Sequence, residues 1–186
     1  ITLSKETYNS KIVKQLAQKR EKIICENWEL PVLISYKSKY EEKKTQLSIM
    51  EPCYTENLSN PEKIFIDSLD NSKKINWWFK NGYNEPKYFA VPYVDEYGMD
   101  RGFYVDFIIS FKDGQIGLFD TKSGTSAQNA GPRSNGLQKY IKSENKKGKH
   151  IVGGILIDNR GTWMYYDKSK YAYDPNDYSK WQILEI

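Results

Sequence analysis

Residues 102–124 read GFYVDFIISFKDGQIGLFDTKSG. Two apolar runs, 103–111 and 115–121, flank Lys112-Asp113-Gly114. An Asp-Gly pair between such runs predicts a tight hairpin with φ > 0 at both turn residues. Side chains alternate faces along a strand, so Asp120 and Lys122 share one face with Ile116 and Leu118, and Thr121 takes the other. The first run has its own misfit, Asp106, between Val105 and Phe107. Counted back from the turn, Asp106 falls where Asp120 lies on the partner strand.

A carboxylate in an apolar strand costs several kcal/mol unless it is paired, hydrogen-bonded or bound to a metal. Two carboxylates and a lysine fit a hard-cation site. Mg²⁺ takes oxygen ligands, accepts one or two protein carboxylates, and leaves its other positions to water and substrate phosphate. A neighbouring lysine orients or deprotonates the attacking water, or steadies charge on the phosphate. The spacing equally accommodates a plain ion pair, Asp106 with Lys122 or Asp120 with Lys122, at the exposed end of a hairpin.

Asp106, thirteen intervening residues and then Asp120-Thr121-Lys122 together resemble the PD-(D/E)xK nuclease signature. With Asn60-Pro61-Glu62, Trp77-Trp78-Phe79-Lys80-Asn81, Tyr104-Val105-Asp106-Phe107-Ile108 and Phe119 to Gly124, the series is similar to the C-terminal endonuclease domain of type III restriction enzyme restriction subunits and related helicase-nucleases. The likeness spans roughly residues 58–166, and Val105 stands where that family usually has a proline that shapes the strand and binds no metal. It implies a restriction-endonuclease-like α/β fold, a mixed sheet flanked by helices, and Mg²⁺- or Mn²⁺-dependent hydrolysis of double-stranded DNA. Asp106, Asp120 and the main-chain carbonyl of Thr121 would hold the metal, Lys122 would handle the water, and Glu62, from the first core helix, would support a second metal or an outer water. The parent protein would carry an ATP-driven motor and act beside a methyltransferase subunit that reads the target.

Composition sets the outer bounds. A chain of 186 residues, 39% hydrophobic and 15% aromatic, holds one well-packed domain with an extra element. The expected division is a nuclease core over 58–186 and an N-terminal helix plus β-ribbon elaboration over 1–57. A net charge of +4 permits a polyanionic partner without requiring one. Cys25 and Cys53 form no CxxC, so neither a zinc cluster nor a disulfide framework is indicated, in keeping with a reducing cytoplasm. No apolar stretch approaches the ~18 residues of a membrane span, and the first residues lack the apolar core of a signal peptide. The opening on Ile1 without an initiator Met is expected of a piece of a longer protein.

Along the chain, residues 5–28 have near-helical apolar spacing, with Lys11, Lys14, Lys19, Arg20 and Lys22 on the outer face. Residues 32–40 and 46–54 read as a two-stranded ribbon. Asn60-Pro61-Glu62 is a helix start, with Asn60 as the cap, leading to a helix ending near Asn71. Strands are expected at 75–79 and 87–94, a loop at 95–102, and a flexible Gly- and Ser-rich rim at 123–132. Of Trp77 and Trp78, which face opposite ways in a strand, one at least is core, and base stacking is an option for the other. No Gly-x-x-x-x-Gly-Lys-Ser/Thr series occurs, so ATP belongs only to the absent motor.

Ser134 looks like the cap of a crossover helix ending near Lys146-Lys147-Gly148, and Arg133 and Lys139 on that helix are candidate DNA contacts. Residues 151–158, with Gly153-Gly154 inside, read as a buried strand parallel to the acidic hairpin, followed by a hairpin at 159–161 and a closing strand near 181–186. His150 is the one histidine, which excludes a two-imidazole metal site and argues against a Ser-His-Asp triad. Two other functions stay open: a catalytically inactive nuclease-fold domain that binds DNA, and one that docks a subunit.

Overall fold

A computed structural model describes residues 4–9, 28–55 and 58–186. The N-terminal portion is built from short strands: β1 (Ser4–Asn9), β2 (Leu33–Lys37), β3 (Glu41–Lys43), β4 (Met50–Glu51) and β5 (Cys53–Thr55). β1 lies between β2 and β4, antiparallel to both, and β3 pairs with β5. Helical spacing from Lys5 onward therefore misleads at its start. Thr7 and Asn9 are buried while Glu6 and Tyr8 face water, a period of two. The rest of that expected helix, residues 10–27, lies outside the described residues. The expected ribbon of 32–40 with 46–54 does not form either, because β1 takes the pairing edge of β2.

The larger part begins with α1 (Asn60–Asp70) and runs through β6 (Ile75–Lys80), β7 (Val91–Val94), β8 (Asp100–Phe103), β9 (Phe107–Phe111), β10 (Ile116–Thr121), α2 (Gly124–Gln128), α3 (Gly131–Lys146), β11 (Ile151–Asn159), β12 (Thr162–Tyr166) and β13 (Gln182–Ile183). Six strands form one mixed sheet in the order β13-β12-β11-β10-β9-β6. β10 and β11 are parallel and every other neighbouring pair is antiparallel. A parallel pair needs a long crossover, and α3 supplies it.

The sheet is buried on both faces, which explains why its central strands are almost continuously apolar. On one face Phe65, Ile66 and Leu69 of α1 pack on Trp78, Phe107, Ile109 and Phe119. On the other, Leu137 and Ile141 of α3 pack on Phe79, Ile108, Leu118 and Ile155. Phe65 is fully buried, with ring centroids 5.1 Å from Phe107 and 4.7 Å from Trp163. Burying such a side chain contributes roughly 1.5–3 kcal/mol. Trp77 and Trp78 point to opposite faces and both are buried, so neither is available to stack on a base.

Local chemistry accounts for the boundaries. α1 is capped by Ser59 rather than Asn60, because Ser59 and Glu62 exchange hydrogen bonds as a capping box, leaving Pro61 inside the first turn. At the central hairpin only Gly114 has positive φ, at 88°. The Gly114 N–H donates to the Phe111 carbonyl and the Phe111 N–H to the Gln115 carbonyl, a three-residue loop closed by a glycine. The expected strand 103–111 is divided, since Phe103 joins residues 100–102, expected as loop, in pairing with β7, and the chain breaks at Tyr104–Asp106. The strand expected at 87–94 shortens to β7 for the same reason: it extends only as far as β8 accompanies it. The segment 123–132, expected as a flexible rim, instead holds α2 and the start of α3, and Ala127 and Ala130 are fully buried. α3 starts before Ser134, with Pro132 in its first turn, where a missing N–H costs nothing.

Gly153 and Gly154 allow β11 to lie against both neighbours. A Cβ at Gly153 would stand 2.0 Å from the Leu118 carbonyl oxygen, and one at Gly154 2.1 Å from that of Tyr166. Gly153→Ala should therefore lower unfolding free energy by about 3 kcal/mol or more, read as a lower urea midpoint. A midpoint equal to wild type would contradict the close β10–β11 approach.

Candidate active site

The break at Tyr104–Asp106 is what brings Asp106 to the sheet edge. Asn81, fully buried, holds it there: its amide donates to the carbonyls of Phe89 (2.8 Å) and Val105 (2.9 Å) and accepts from the Phe89 N–H (3.1 Å). The Asn81 N–H also donates to the Asp106 carbonyl at 2.9 Å. Phe107 pairs with Phe119, so Asp106 and Asp120 are the next residues on neighbouring strands. Asp106 Oδ2 accepts from the Thr121 N–H and from Thr121 Oγ1, both at 2.8 Å.

Lys122 lies against Asp120 as an ion pair and donates to the Thr121 carbonyl at 3.1 Å. Asp120 is 2% exposed, and its Oδ2 is held by the Lys122 ammonium. The structure thus gathers Asp106, Asp120, Thr121 and Lys122 at one end of β10.

Glu62 joins them through a residue that the sequence reading passed over. Lys80, the last residue of β6, places Nζ 3.0 Å from Glu62 Oε1 and 3.4 Å from Asp106 Oδ1. The other oxygen of Glu62 accepts from the Ser59 N–H (2.7 Å) and Oγ (2.6 Å), so Glu62 is helix cap and site residue at once. Lys80 had a signal in the sequence: it is the charged end of an otherwise apolar strand, as Asp106 is beside Phe107. Arg133 and Lys139 are exposed on α3 and take no part in the hydrogen bonds or ion pairs of this cluster.

The electrostatics divide the two aspartates. Burial, reinforced by the Asp106 carboxylate, pushes Asp120 up to about 7, against the pull of Lys122. Burial also opposes the charge of Asp106, but Lys80, Lys122 and the Thr121 hydrogen bonds outweigh it and hold Asp106 below the usual carboxylate range. Burial disfavours the Lys80 ammonium as well, yet Asp106 and Glu62 raise its pKa above that of an ordinary lysine. Three carboxylates share the space with two ammonium groups, and near neutral pH a proton on Asp120 closes the balance.

A cleft of about 240 Å³ opens beside Glu62, Lys80 and Asp106. A larger cavity, about 450 Å³, lies by the hairpin turn at Lys112 and Asp113 and touches none of Glu62, Asp106 and Asp120, so the smaller cleft is the one that adjoins the cluster. Among the described residues no three His, Cys, Asp or Glu side chains form a ready metal cluster. The oxygen donors present are two carboxylates and the Thr121 carbonyl, a set that suits a hard cation with most of its shell in water and suits no soft metal. Compared with known proteins, the chain matches no family model, no curated protein and no solved structure. No helix among the described residues is long and apolar enough to cross a membrane.

An acid whose folded pKa is raised binds a proton that the unfolded chain has released. Asp120 therefore lowers stability as pH rises from about 4 to about 7, and its penalty is constant above that. Metal-free Asp120→Asn should melt several degrees above wild type at pH 8, and the gap should close at pH 4, in thermal scans with chelator. An equal or lower melting temperature at pH 8 would make Asp120 a structural partner of Lys122.

Proposed function

We propose that this chain is a divalent-metal-dependent DNA endonuclease domain, most simply using Mg²⁺, that hydrolyses phosphodiester bonds of double-stranded DNA. The observation that carries the reading is the juxtaposition of Asp106 and Asp120 at the paired ends of β9 and β10, Asp120 buried and Lys122 paired with it. The order helix, three antiparallel strands, crossover helix and parallel strand, α1-β6-β9-β10-α3-β11, supports a restriction-endonuclease-like arrangement. The finer placement, as the nuclease portion of a type III restriction subunit acting in the cytoplasm beside a methyltransferase subunit and an ATP-driven motor, rests on the sequence resemblance.

In this reading Asp106, Asp120 and the Thr121 carbonyl would hold the cation. When bound, it supplies Lewis-acid polarisation of a phosphate oxygen and lowers the pKa of a bound water. The Thr121 N–H and hydroxyl fix one Asp106 oxygen and so orient the other. Lys122, freed from Asp120 and the Thr121 carbonyl, would donate to the charge that builds on the phosphate as the water oxygen bonds to phosphorus, the ester P–O bond breaks, the water's proton is released to solvent and the departing oxygen takes one from solvent. Lys80 bridges Glu62 and Asp106 and offsets part of their charge while substrate binds.

A plasmid-nicking assay tests this. Wild type should nick with Mg²⁺ or Mn²⁺ and not with chelator, and Asp120→Ala should lose all of it. Lys122→Ala should keep Mn²⁺ affinity while the rate falls by roughly 10²-fold or more. Nicking that survives chelation or Asp120→Ala would overturn the reading. One observation favours a second function, an inactive nuclease-fold domain that binds DNA or docks a subunit: Lys80 and Lys122 already occupy the carboxylates as ion pairs. DNA binding without cutting in any metal would favour it.

A further inference from the structure

The cleft beside Glu62 and Asp106 is walled by four tyrosines from distant parts of the chain, Tyr36 on β2, Tyr54 on β5, and Tyr83 and Tyr88 after β6. We propose that it receives one unpaired nucleobase next to the phosphate being cut, so that the preferred substrate is DNA locally opened at the cleavage position. This rests on the nuclease reading, which places the phosphate at the acids.

Size, charge and shape agree. About 240 Å³ is below the roughly 300–1,000 Å³ that enclose a whole drug-sized ligand, and suits a single ring system. The floor carries Glu62 and Asp106 with Lys80 locked between them, while Lys5 and Lys87 lie over the Tyr54 and Tyr88 rings, Lys5 donating to the Tyr40 carbonyl and Lys87 paired with Glu85. A neutral, flat group with π faces is the ligand this wall accepts.

The walls are held in place. Tyr36 and Tyr54 pack ring against ring at 5.7 Å, and Tyr36 meets Tyr40 at 6.0 Å. Tyr88 lies on Gly82, where a Cβ would come within 2.4 Å of the ring. Tyr83 is 65% exposed, a large aromatic left in water at the mouth of the cleft. The Asn81 amide is consumed by Phe89 and Val105, so it offers no edge to a base. Aromatic faces with so little edge recognition accept any base. The inference also gives the N-terminal strands a task, since β2 and β5 build the wall that α1 and β6 lack.

The test uses DNA with 2-aminopurine, in calcium to prevent cutting, either in an unpaired bubble or in intact duplex. Stacking on tyrosine quenches this base. Wild type should quench the bubble probe and bind it roughly tenfold more tightly than duplex. Tyr83→Ala should lose both effects with an unchanged melting temperature, and Tyr83→Trp should retain them. Equal affinity for bubble and duplex, or quenching that survives Tyr83→Ala, overturns the cleft proposal even if wild type nicks plasmid with Mg²⁺. Quenching that needs Tyr83 in a protein that fails to nick DNA with either Mg²⁺ or Mn²⁺ supports the cleft and removes the nuclease reading.

Discussion

Three carboxylates crowd one end of the central strands, and among the described residues two ammonium groups pair with them there. In a medium of lower dielectric than water this imbalance is costly, and the structure spreads the cost unequally. Asp106 receives both Thr121 donors and both lysines, while Asp120 receives Lys122 alone and takes up a proton near neutrality. In the proposed function a cation would stand in place of that proton. The chemistry proposed for the chain follows from that debt.

The fold holds this cluster in position. The Gly114 loop sets the register that puts Asp106 beside Asp120, and α3 returns the chain so that β11 buries the flank of β10. Gly153 and Gly154 let backbone approach backbone there, and Asn81 ties down the break that swings Asp106 to the edge. Packing of α1 below the sheet delivers Glu62 in the same turn that the capping box begins. Stability and site geometry are therefore coupled at few residues.

Much of the core was legible because its signals are local. The Lys112-Asp113-Gly114 turn, the paired glycines of β11 and the crossover between parallel strands are written in neighbouring residues, and the structure has them. The N-terminal portion was misread where periodicity competes: Tyr8 fits a helical stripe in the text but faces water from β1. The 103–111 run looked like one strand, since nothing in Tyr104-Val105 announces that β8 will leave to pair with β7. Lys80 escaped notice as a cluster member because its partners, Glu62 and Asp106, lie 18 and 26 positions away, and only folding brings them together. The tyrosine cleft was illegible for the same reason, being assembled from four separate stretches.

The central claim is that the Asp106–Asp120 pair takes a divalent cation. The most direct measurement is anomalous diffraction from crystals soaked in Mn²⁺ at pH 8, where Asp120 is ionised. The account predicts one peak bridging the carboxylates of Asp106 and Asp120, with Lys122 displaced from Asp120. Absence of a peak at saturating Mn²⁺, with Lys122 still seated on Asp120, would contradict it.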